Sequence, residues 1–286
     1  MLTISPSDTP QNILHSHLVS AVGPRPICFA STIDAQGNPN LSPFSFFNIF
    51  GSNPPVAVFS PARSGRTGQV KNTVENVLEV PEVVINAVSY NMVQQASLAS
   101  AEYPRGVNEF IKSGFTPIAS DKIRPFRVKE SPVQMECKVL EVKQMGTGGG
   151  SGNLIICEII LVHISEDILN ADKKIDPNKI DLVGRMGGNY YCRASGAALF
   201  EQVQPMANLG IGVDALPASI RNSSILTGND LGKLGNVTHL PSDEDVKKYA
   251  ANNSVKLTGV ELHKEAHKLL EQSQIEEAWK MLLAGL

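Results

Sequence analysis

Residues 24–73 read PRPICFASTIDAQGNPNLSPFSFFNIFGSNPPVAVFSPARSGRTGQVKNT. In this stretch an apolar, β-type run over 27–33 meets a cluster of turn residues at 34–38, and a second extended run covers 39–43. Two β-type runs joined by a turn cluster predict a β-hairpin. The sequence therefore predicts a fold that begins with paired strands.

A third strand is predicted over 56–60, after the two prolines at 54 and 55. Between the hairpin and this strand the chain carries small polar and aromatic side chains, namely Ser45, Phe46, Phe47 and Asn48. Adjacent side chains on a strand face opposite ways, so at most one of the two phenylalanines is expected to touch a ligand. The alternative is that both are core residues.

Cations and small polar groups precede the helical pattern at 74–80. They are Arg63, Ser64, Arg66, Lys71, Asn72 and Thr73. Such a cluster at a helix start suits a phosphate group. Asn72 and Thr73 also suit helix capping, and Glu75 stands three residues after Asn72 as in a capping box. Phosphate binding is favoured over capping alone, and both roles can hold at once.

Further along, a continuously apolar run at 82–88 predicts a buried strand, and a helix is expected over 91–101 with Asn91 as its N-cap. The alternating pattern at 132–142 slips in phase at 139–140, which predicts a β-bulge. A glycine-rich loop then leads to another apolar run at 154–164. With five or six strands and hairpin-type connections, we expect a mainly β fold, an antiparallel barrel with appended helices.

Composition and net charge argue against some classes of binding partner. The chain has 286 residues, 42% of them hydrophobic, and a net charge of −3, which argues against a nucleic-acid surface. No apolar run approaches the ~20 residues of a membrane span, and the first residues lack a basic and apolar leader. We expect no nucleic-acid and no membrane partner, and a cytoplasmic location.

The sequence contains no complete metal-binding or nucleotide-binding motif. The four cysteines form no C-x-x-C pair, His15 and His17 are two residues apart and cannot share one helix face, and His263 and His267 lack further ligands, so no metal is expected. The glycine-rich stretches at 146–152, 210–215 and 228–234 lack the strand–turn–helix context or the residues of a dinucleotide or P-loop site. No Rossmann domain or NTPase is predicted.

The stretch 24–73 contains P-R-P-I-x-x-x-S-T-x-D-x-x-G-x-P-N-L-x-P-x-S-F-F-N, followed by N-P-P and K-N-T. Together with YPRGVNEF at 103–110 and VGRMGGNYY at 183–191, it resembles the flavin reductase-like family of FMN-binding split β-barrel proteins. The resemblance covers roughly residues 12–195. It implies a homodimer that holds FMN near the subunit interface, and oxidoreductase chemistry fed by NADH or NADPH.

The resemblance also implies site residues. The expected cofactor-binding set is Ser31, Thr32, Ser45, Phe46, Phe47, Asn48, Ser60, Arg63, Lys71, Asn72 and Thr73. Lys71 and Arg63 suit the phosphate, and the segment 45–48 suits the pyrimidine edge of the ring. Without the resemblance, Ser31 and Thr32 are residues of ordinary β propensity.

On the open face of the flavin the resemblance implies Tyr103, Arg105, Glu109, Arg185 and Tyr190. An arginine there suits an anionic substrate, but Arg105 and Glu109, four residues apart, equally suit a solvated ion pair. Hydride transfer to a flavin needs no obligatory protein acid or base, so no catalytic residue is named. His163 is expected to be a strand-end histidine rather than a general acid.

We expect an FMN-binding domain over residues 1–200. The segment 209–240 is expected to drape as an arm, and a single amphipathic helix is predicted over 259–283, so that residues 201–286 pack on the barrel or on a partner subunit. Two functions stay open. One is an NAD(P)H-dependent oxidoreductase that passes electrons to a small acceptor, and the other is a flavoredoxin-like electron carrier reduced by a protein donor.

Overall fold

The computed structural model describes residues 1–202, 209–253 and 257–285. The chain forms two compact units, 1–200 and 201–286, which we call the N-terminal unit and the C-terminal unit. In the described part of the chain, no helix has both the length and the apolar character needed to traverse a bilayer. Each unit is built on its own apolar core.

The N-terminal unit is mainly β-sheet. Its strands are β1 Cys28–Ile33, β2 Pro39–Phe44, β3 Phe47–Ser52, β4 Pro55–Phe59, β5 Glu82–Ala87, β6 Pro117–Ile118, β7 Arg127–Val128, β8 Val133–Gln144, β9 Asn153–Ile164, β10 Leu182–Arg185 and β11 Tyr191–Ala194. Seven strands form one antiparallel sheet in the order β2-β1-β5-β8-β9-β4-β3. The pairs β6–β7 and β10–β11 form two small sheets. The expected mainly β architecture is confirmed.

The strand order shows how the main sheet is shaped. β2 and β3 lie at its two opposite edges, yet only Ser45 and Phe46 separate them in the chain. Three peptide units span at most about 11 Å, so the sheet must roll until its edges approach each other. The edges do not pair, however, and the sheet is open. The split β-barrel that the family resemblance implied is therefore confirmed, with the split along this seam.

Local sequence signals account for the hairpins. In the turn between β1 and β2, the Asp34 carboxylate accepts the backbone N–H groups of Gln36 and Asn38, and β1 pairs with β2 from Cys28 opposite Phe44 to Ile33 opposite Pro39. β8 and β9 pair along their length with a register shift between Val139 and Glu141. The predicted hairpins and the predicted bulge are confirmed.

The glycine-rich loop between β8 and β9 lets two loops touch. A Cβ at Gly149 would lie 3.1 Å from the backbone oxygens of both Ser64 and Gly65. Backbone hydrogen bonds join Arg63 to Gly150 and Ser151 across the same contact. The loop therefore serves as a hairpin turn that supports the segment 63–65.

The described part of the N-terminal unit contains five α-helices: α1 Gln11–Ala21, α2 Asn72–Glu79, α3 Val93–Leu98, α4 Glu109–Ser113 and α5 Pro177–Ile180. α2 places Val74 and Val77 in the apolar interior of the rolled sheet, beside Phe59 and Ile85. α3 and α4 pack on a second cluster, built on Phe29 and Leu41 from the first hairpin. The sheet is thus covered on both faces of β1, which is buried throughout.

One helix boundary was predicted wrongly and one correctly. Residues 90–92 form a 3₁₀ turn, and α3 begins after it without a side-chain cap, so Asn91 is not the N-cap of a helix over 91–101. α4 ends at Gly114 in the left-handed conformation, as its glycine predicted.

The C-terminal unit is helical in its described residues, with α6 Ala218–Arg221, α7 Gly228–Gly235, α8 Asp243–Asn253, α9 Gly259–Glu271 and α10 Ile275–Ala284. The single helix predicted over 259–283 is wrong, because the chain breaks at 272–274, where Ser273 has φ 59°. The arm expected at 209–240 is also wrong, because Leu216, Ile220 and Leu234 join the core around Trp279. Packing of this unit on the barrel or on a partner stays a prediction.

In this unit, Gly210 and Gly212 allow their backbone to pack closely against the backbone of Gly235. A Cβ at Gly210 would lie 2.5 Å from the carbonyl oxygen of Gly235, and the N–H of Gly212 donates to that same oxygen at 2.9 Å. The G-x-G pattern at 210–212 is thus explained by close backbone packing rather than by a nucleotide.

We expect Gly210→Ala to destabilise the C-terminal unit by about 1–3 kcal/mol, since a methyl group there overlaps a backbone oxygen. Unfolding of this unit can be followed by the fluorescence of the chain's single tryptophan, Trp279, which is buried in its core. Gly232→Ala in α7 is the matched control, because its Cβ meets open space and alanine favours a helix by about 1 kcal/mol. A Gly210→Ala protein as stable as wild type would contradict the packing argument.

Candidate functional site

A cleft of about 600 Å³ opens beside the N-terminus of α2. It is lined by Asn40 and Ser42 of β2, by the loop that leads into α2, and by the segment 99–105. Of the residues that the sequence predicted for a site, the cleft gathers Lys71, Asn72, Thr73, Tyr103, Arg105 and Glu109. We refer to this space as the cleft.

The start of α2 lies in the cleft without a side-chain cap. Its N-cap residue is Lys71, and the Lys71 carbonyl accepts from Val74 and Glu75, so that the N–H groups of Asn72 and Thr73 have no hydrogen-bond partner among the residues the structure describes. The capping box expected between Asn72 and Glu75 does not form, because Glu75 pairs with Arg105 instead. A helix N-terminus in this state favours an anion.

A buried polar network fixes the hydroxyl group of Thr73. The amide of Asn40 donates to Thr73 Oγ1 at 3.0 Å and lies 3.5 Å from Thr32 Oγ1, and Asn76 donates to the same Thr32 oxygen at 3.1 Å. All four residues are buried. Because a hydroxyl that accepts one bond can still donate its own hydrogen, Thr73 keeps a donor for a ligand in the cleft.

Glu102, on the segment 99–105, pairs with two of the cleft's cations. Its carboxylate lies 2.7 Å from Lys71 Nζ and 3.2 Å from the guanidinium of Arg66. The hydrogen bond from Lys71, supported by the charges of Lys71 and the bond from Arg66, lowers the pKa of Glu102. Glu102 was not predicted, although it directly precedes the YPRGVNEF motif.

Arg105 pairs with α2 rather than with Glu109. Its guanidinium lies 3.0 Å from Glu75 and 2.6 Å from Glu79, and the bond to Glu79 raises the pKa of Arg105. The ion pair between Arg105 and Glu109, one of two roles that the sequence left open, is therefore wrong. Arg105 instead fastens the segment 99–105 to α2, with help from the amide of Asn72, which donates to the Tyr103 carbonyl at 3.4 Å.

Glu109 is a buried acid, 3% exposed, at the start of α4. Its carboxylate accepts the backbone N–H of Leu41 at 3.0 Å, on the outer edge of β2. Burial raises the pKa of Glu109, because removal from water disfavours the charged form.

The residues predicted for the flavin ring lie outside the lining of the cleft. Phe47 packs on the core inside the rolled sheet, whereas Phe46 is exposed, beside His15 and the guanidinium of Arg25. The two phenylalanines thus face opposite ways, as predicted. Asn48 accepts the N–H of Ile49, and Ser45 is half-buried. Their role in binding stays a prediction.

Three further predicted residues are buried or half-buried but do not line the cleft, namely Ser31, Ser60 and Arg63. The N–H of Ser60 donates to the Phe46 carbonyl, and Arg63 donates to the Gly68 carbonyl. Arg63 Nε and Ser31 Oγ are buried without a hydrogen-bond partner in the described residues. Such orphaned polar atoms require an explanation, and a bound ligand is one.

Arg185 and Tyr190 lie on the β10–β11 hairpin. Arg185 donates to the Tyr190 carbonyl and stacks over the ring of Tyr191, while Tyr190 is exposed. Arg25, which was not predicted, is buried and donates to carbonyls of Val19 and Val22 at the end of α1 and to Met186. Its place within the P-R-P motif was the available signal.

Three of the histidines singled out in the sequence, His163, His263 and His267, have polar protein partners. His163 lies 2.7 Å from the buried carboxylate of Glu136, and Asp121 completes a cluster of three groups within 4.8 Å of one another. Glu136 already accepts the N–H groups of Asp121 and Lys122. In the C-terminal unit, His263 contacts Ser223 and His267 contacts Asp230.

The geometry defines a class of protein. Its antiparallel sheet is rolled and split, and one helix, α2, fills the interior. The uncapped N-terminus of α2, together with Thr73 and Lys71, suits a phosphate-bearing ligand. The family described as the flavin reductase like domain matches residues 22–178. The chain belongs to this family.

Related proteins and solved structures match about two thirds or more of the chain. A protein from Aquifex aeolicus is 35% identical over 190 residues, which are 66% of this chain and 94% of that one. The crystal structure of nitrilotriacetate monooxygenase component B from Bacillus cereus is similar with a TM-score of 0.64 and 27% identity, over 71% of this chain and 98% of that one. A Shewanella frigidimarina protein with a split barrel domain has a TM-score of 0.60 and 26% identity, over 71% of this chain and all of that one.

Replacing Glu109 with glutamine tests the buried acid. In wild type the native carboxyl holds its proton more tightly than the unfolded chain does, so its contribution to stability is present below about pH 4.3 and is lost as the pH rises through the raised native pKa. Glu109→Gln keeps an oxygen for the Leu41 N–H but cannot ionise. Urea unfolding at several pH values should therefore show the variant gaining stability relative to wild type as the pH rises. A difference that does not change with pH would contradict this account.

Proposed function

We propose that the chain binds FMN and acts as an NAD(P)H-dependent oxidoreductase that passes electrons to a small acceptor. The observation that carries the proposal is the uncapped start of α2 in the cleft, with the Thr73 hydroxyl and Lys71 beside it. The family match supports a flavin as the ligand.

The cleft residues fit the phosphate of FMN. The N–H groups of Asn72 and Thr73 and the Thr73 hydroxyl supply donors at the positive end of a helix, and Lys71 supplies charge. Segment 45–48 would border the ring, and Ser31, Thr32, Ser60 and Arg63 complete the proposed set. When bound, FMN supplies hydride and electron transfer, while the protein holds and orients the reactants.

Tyr103, Arg185 and Tyr190 are the side chains we propose for the nicotinamide or acceptor side. Tyr190 is exposed and Tyr103 lines the cleft, so both are accessible to a second ligand. Arg105 is a weaker candidate for an anionic substrate, because two glutamates already hold it. No side chain is assigned as an acid or base.

The second candidate is an electron carrier that holds FMN and receives electrons from a protein. One observation favours it: in the described part of the chain, each cation that lines the cleft has an acidic partner. Once the FMN phosphate uses Lys71 and Arg66, the remaining cation of the cleft is Arg105, which Glu75 and Glu79 already hold, so the phosphates of a nicotinamide dinucleotide find no unpaired cation among the described residues there.

FMN binding and its reduction test the proposal in one experiment. We expect the protein to quench the fluorescence of FMN, and NADH or NADPH to bleach the bound flavin in the absence of oxygen. Thr73→Val keeps the side chain's shape but removes the hydroxyl, so FMN should bind about tenfold more weakly.

Riboflavin, which lacks the phosphate, is the control ligand, and its affinity should not respond to Thr73→Val. Bleaching only by a protein donor would favour the electron carrier. A protein that neither retains nor quenches FMN would refute both functions.

We also propose a homodimer. The edge strand β3 exposes Ile49 and Phe50, and α1, whose His15 contacts Phe46 next to that strand, exposes Ile13 and Leu18. Apolar side chains grouped at an open sheet edge favour association with another chain.

Phe50 is 68% exposed, and Phe50→Glu is expected to shift the protein from dimer to monomer in light scattering at micromolar concentration. Ile111→Glu, an equally drastic change at an exposed position on α4, should leave the dimer intact. A wild-type mass of one chain would refute the dimer.

The cytoplasm is the location we propose. Cys28, Cys137, Cys157 and Cys192 are all free thiols, which fits a reducing compartment.

A further inference from the structure

We propose that Glu102 is a displaceable counter-ion that competes with the phosphate of a bound ligand, and so sets how strongly the cleft prefers FMN to flavins without phosphate. This inference rests on the proposed function and names the residue that tunes the same site. Two observations carry it: the pairing of the cleft's cations and the attachment of the segment that holds Glu102.

The cations that line the cleft are Arg66, Lys71 and Arg105. Arg105 is held on two sides by α2, through Glu75 and Glu79. The other two cations share the single carboxylate of Glu102. A phosphate that enters the cleft therefore gains Lys71 and Arg66 fully only if Glu102 gives them up.

Glu102 is placed to give them up. Its side chain is 44% exposed and makes its ion pairs at the surface, where water can replace them. By contrast, Arg105 and the bond from Asn72 to the Tyr103 carbonyl fasten the following residues to α2. The side chain of Glu102 can thus turn out to solvent while the segment 103–105 stays in place.

The difference in charge between a phosphate and a carboxylate favours replacement of Glu102 by the phosphate at Lys71 and Arg66. A phosphate monoester carries about −1.5 to −2 charges at neutral pH, against −1 for the carboxylate. It also gains the free N–H groups at the start of α2 and the Thr73 hydroxyl. A ligand without phosphate gains none of these and leaves the pairs of Glu102 intact.

The test compares Glu102→Gln with wild type. Glutamine keeps the size of the side chain and removes the charge, so FMN is expected to bind about fivefold more tightly, with riboflavin affinity unchanged. Glu141→Gln is the matched control: Glu141 is exposed on β8, away from the cleft, and the same loss of charge there should change neither affinity.

Inorganic phosphate gives an arm that does not depend on flavin. The rise in melting temperature that phosphate causes should be larger in Glu102→Gln than in wild type, because binding to the native state stabilises it by mass action. The same melts show whether the variant is folded.

The outcomes separate the two proposals. If wild type binds neither FMN nor riboflavin, the proposed function fails, and the phosphate arm still decides the role of Glu102. If Glu102→Gln binds FMN or phosphate no more tightly than wild type, Glu102 positions the cations rather than competing for them, and this inference is overturned. Equal tightening of FMN and riboflavin would overturn it as well, since the effect would not involve the phosphate.

Discussion

The fold of the N-terminal unit depends on a short connection. β2 and β3 are the two edges of a seven-stranded sheet, and only two residues join them. The sheet must therefore roll, and rolling creates an interior that needs filling to native density. α2 fills it with Val74 and Val77. Because α2 enters the roll from the loop that follows β4, its N-terminus stays at the rim, where it lines the cleft.

Local signals in the sequence predicted much of this fold. The turn at Asp34, the bulge after Val139 and the helix stop at Gly114 depend on residues close in the chain, and each was predictable. The opening of the barrel was not readable from local signals, because it depends on which edge strands pair, and only the family resemblance implied it. The break at Ser273 was missed although the apolar positions change phase there: Leu262, Ala266 and Leu270 recur every four residues, and the series resumes out of step at Ile275.

The individual residues of the site were predictable from the sequence, but their ion-pair partners were not. The K-N-T run and the YPRGVNEF motif indicated Lys71, Thr73, Tyr103 and Glu109, and the structure brings all four to one cleft. Their partners are set by contacts between distant residues. Glu102 is 31 positions from Lys71, and Arg105 reaches back 26 positions to Glu79, so spacing alone suggested the nearer Glu109 instead.

The cleft also contains two features that lower the stability of the protein without a ligand. α2 lacks a side-chain cap, which costs a helix about 1 kcal/mol, and Glu109 is an acid whose burial raises its pKa. Such departures from local rules are expected where a protein binds a ligand, because stability elsewhere in the fold offsets them. An anion at the start of α2 supplies what the missing cap would have supplied. Binding and folding are therefore linked at this helix: the ligand that uses the free N–H groups also stabilises the element that plugs the rolled sheet.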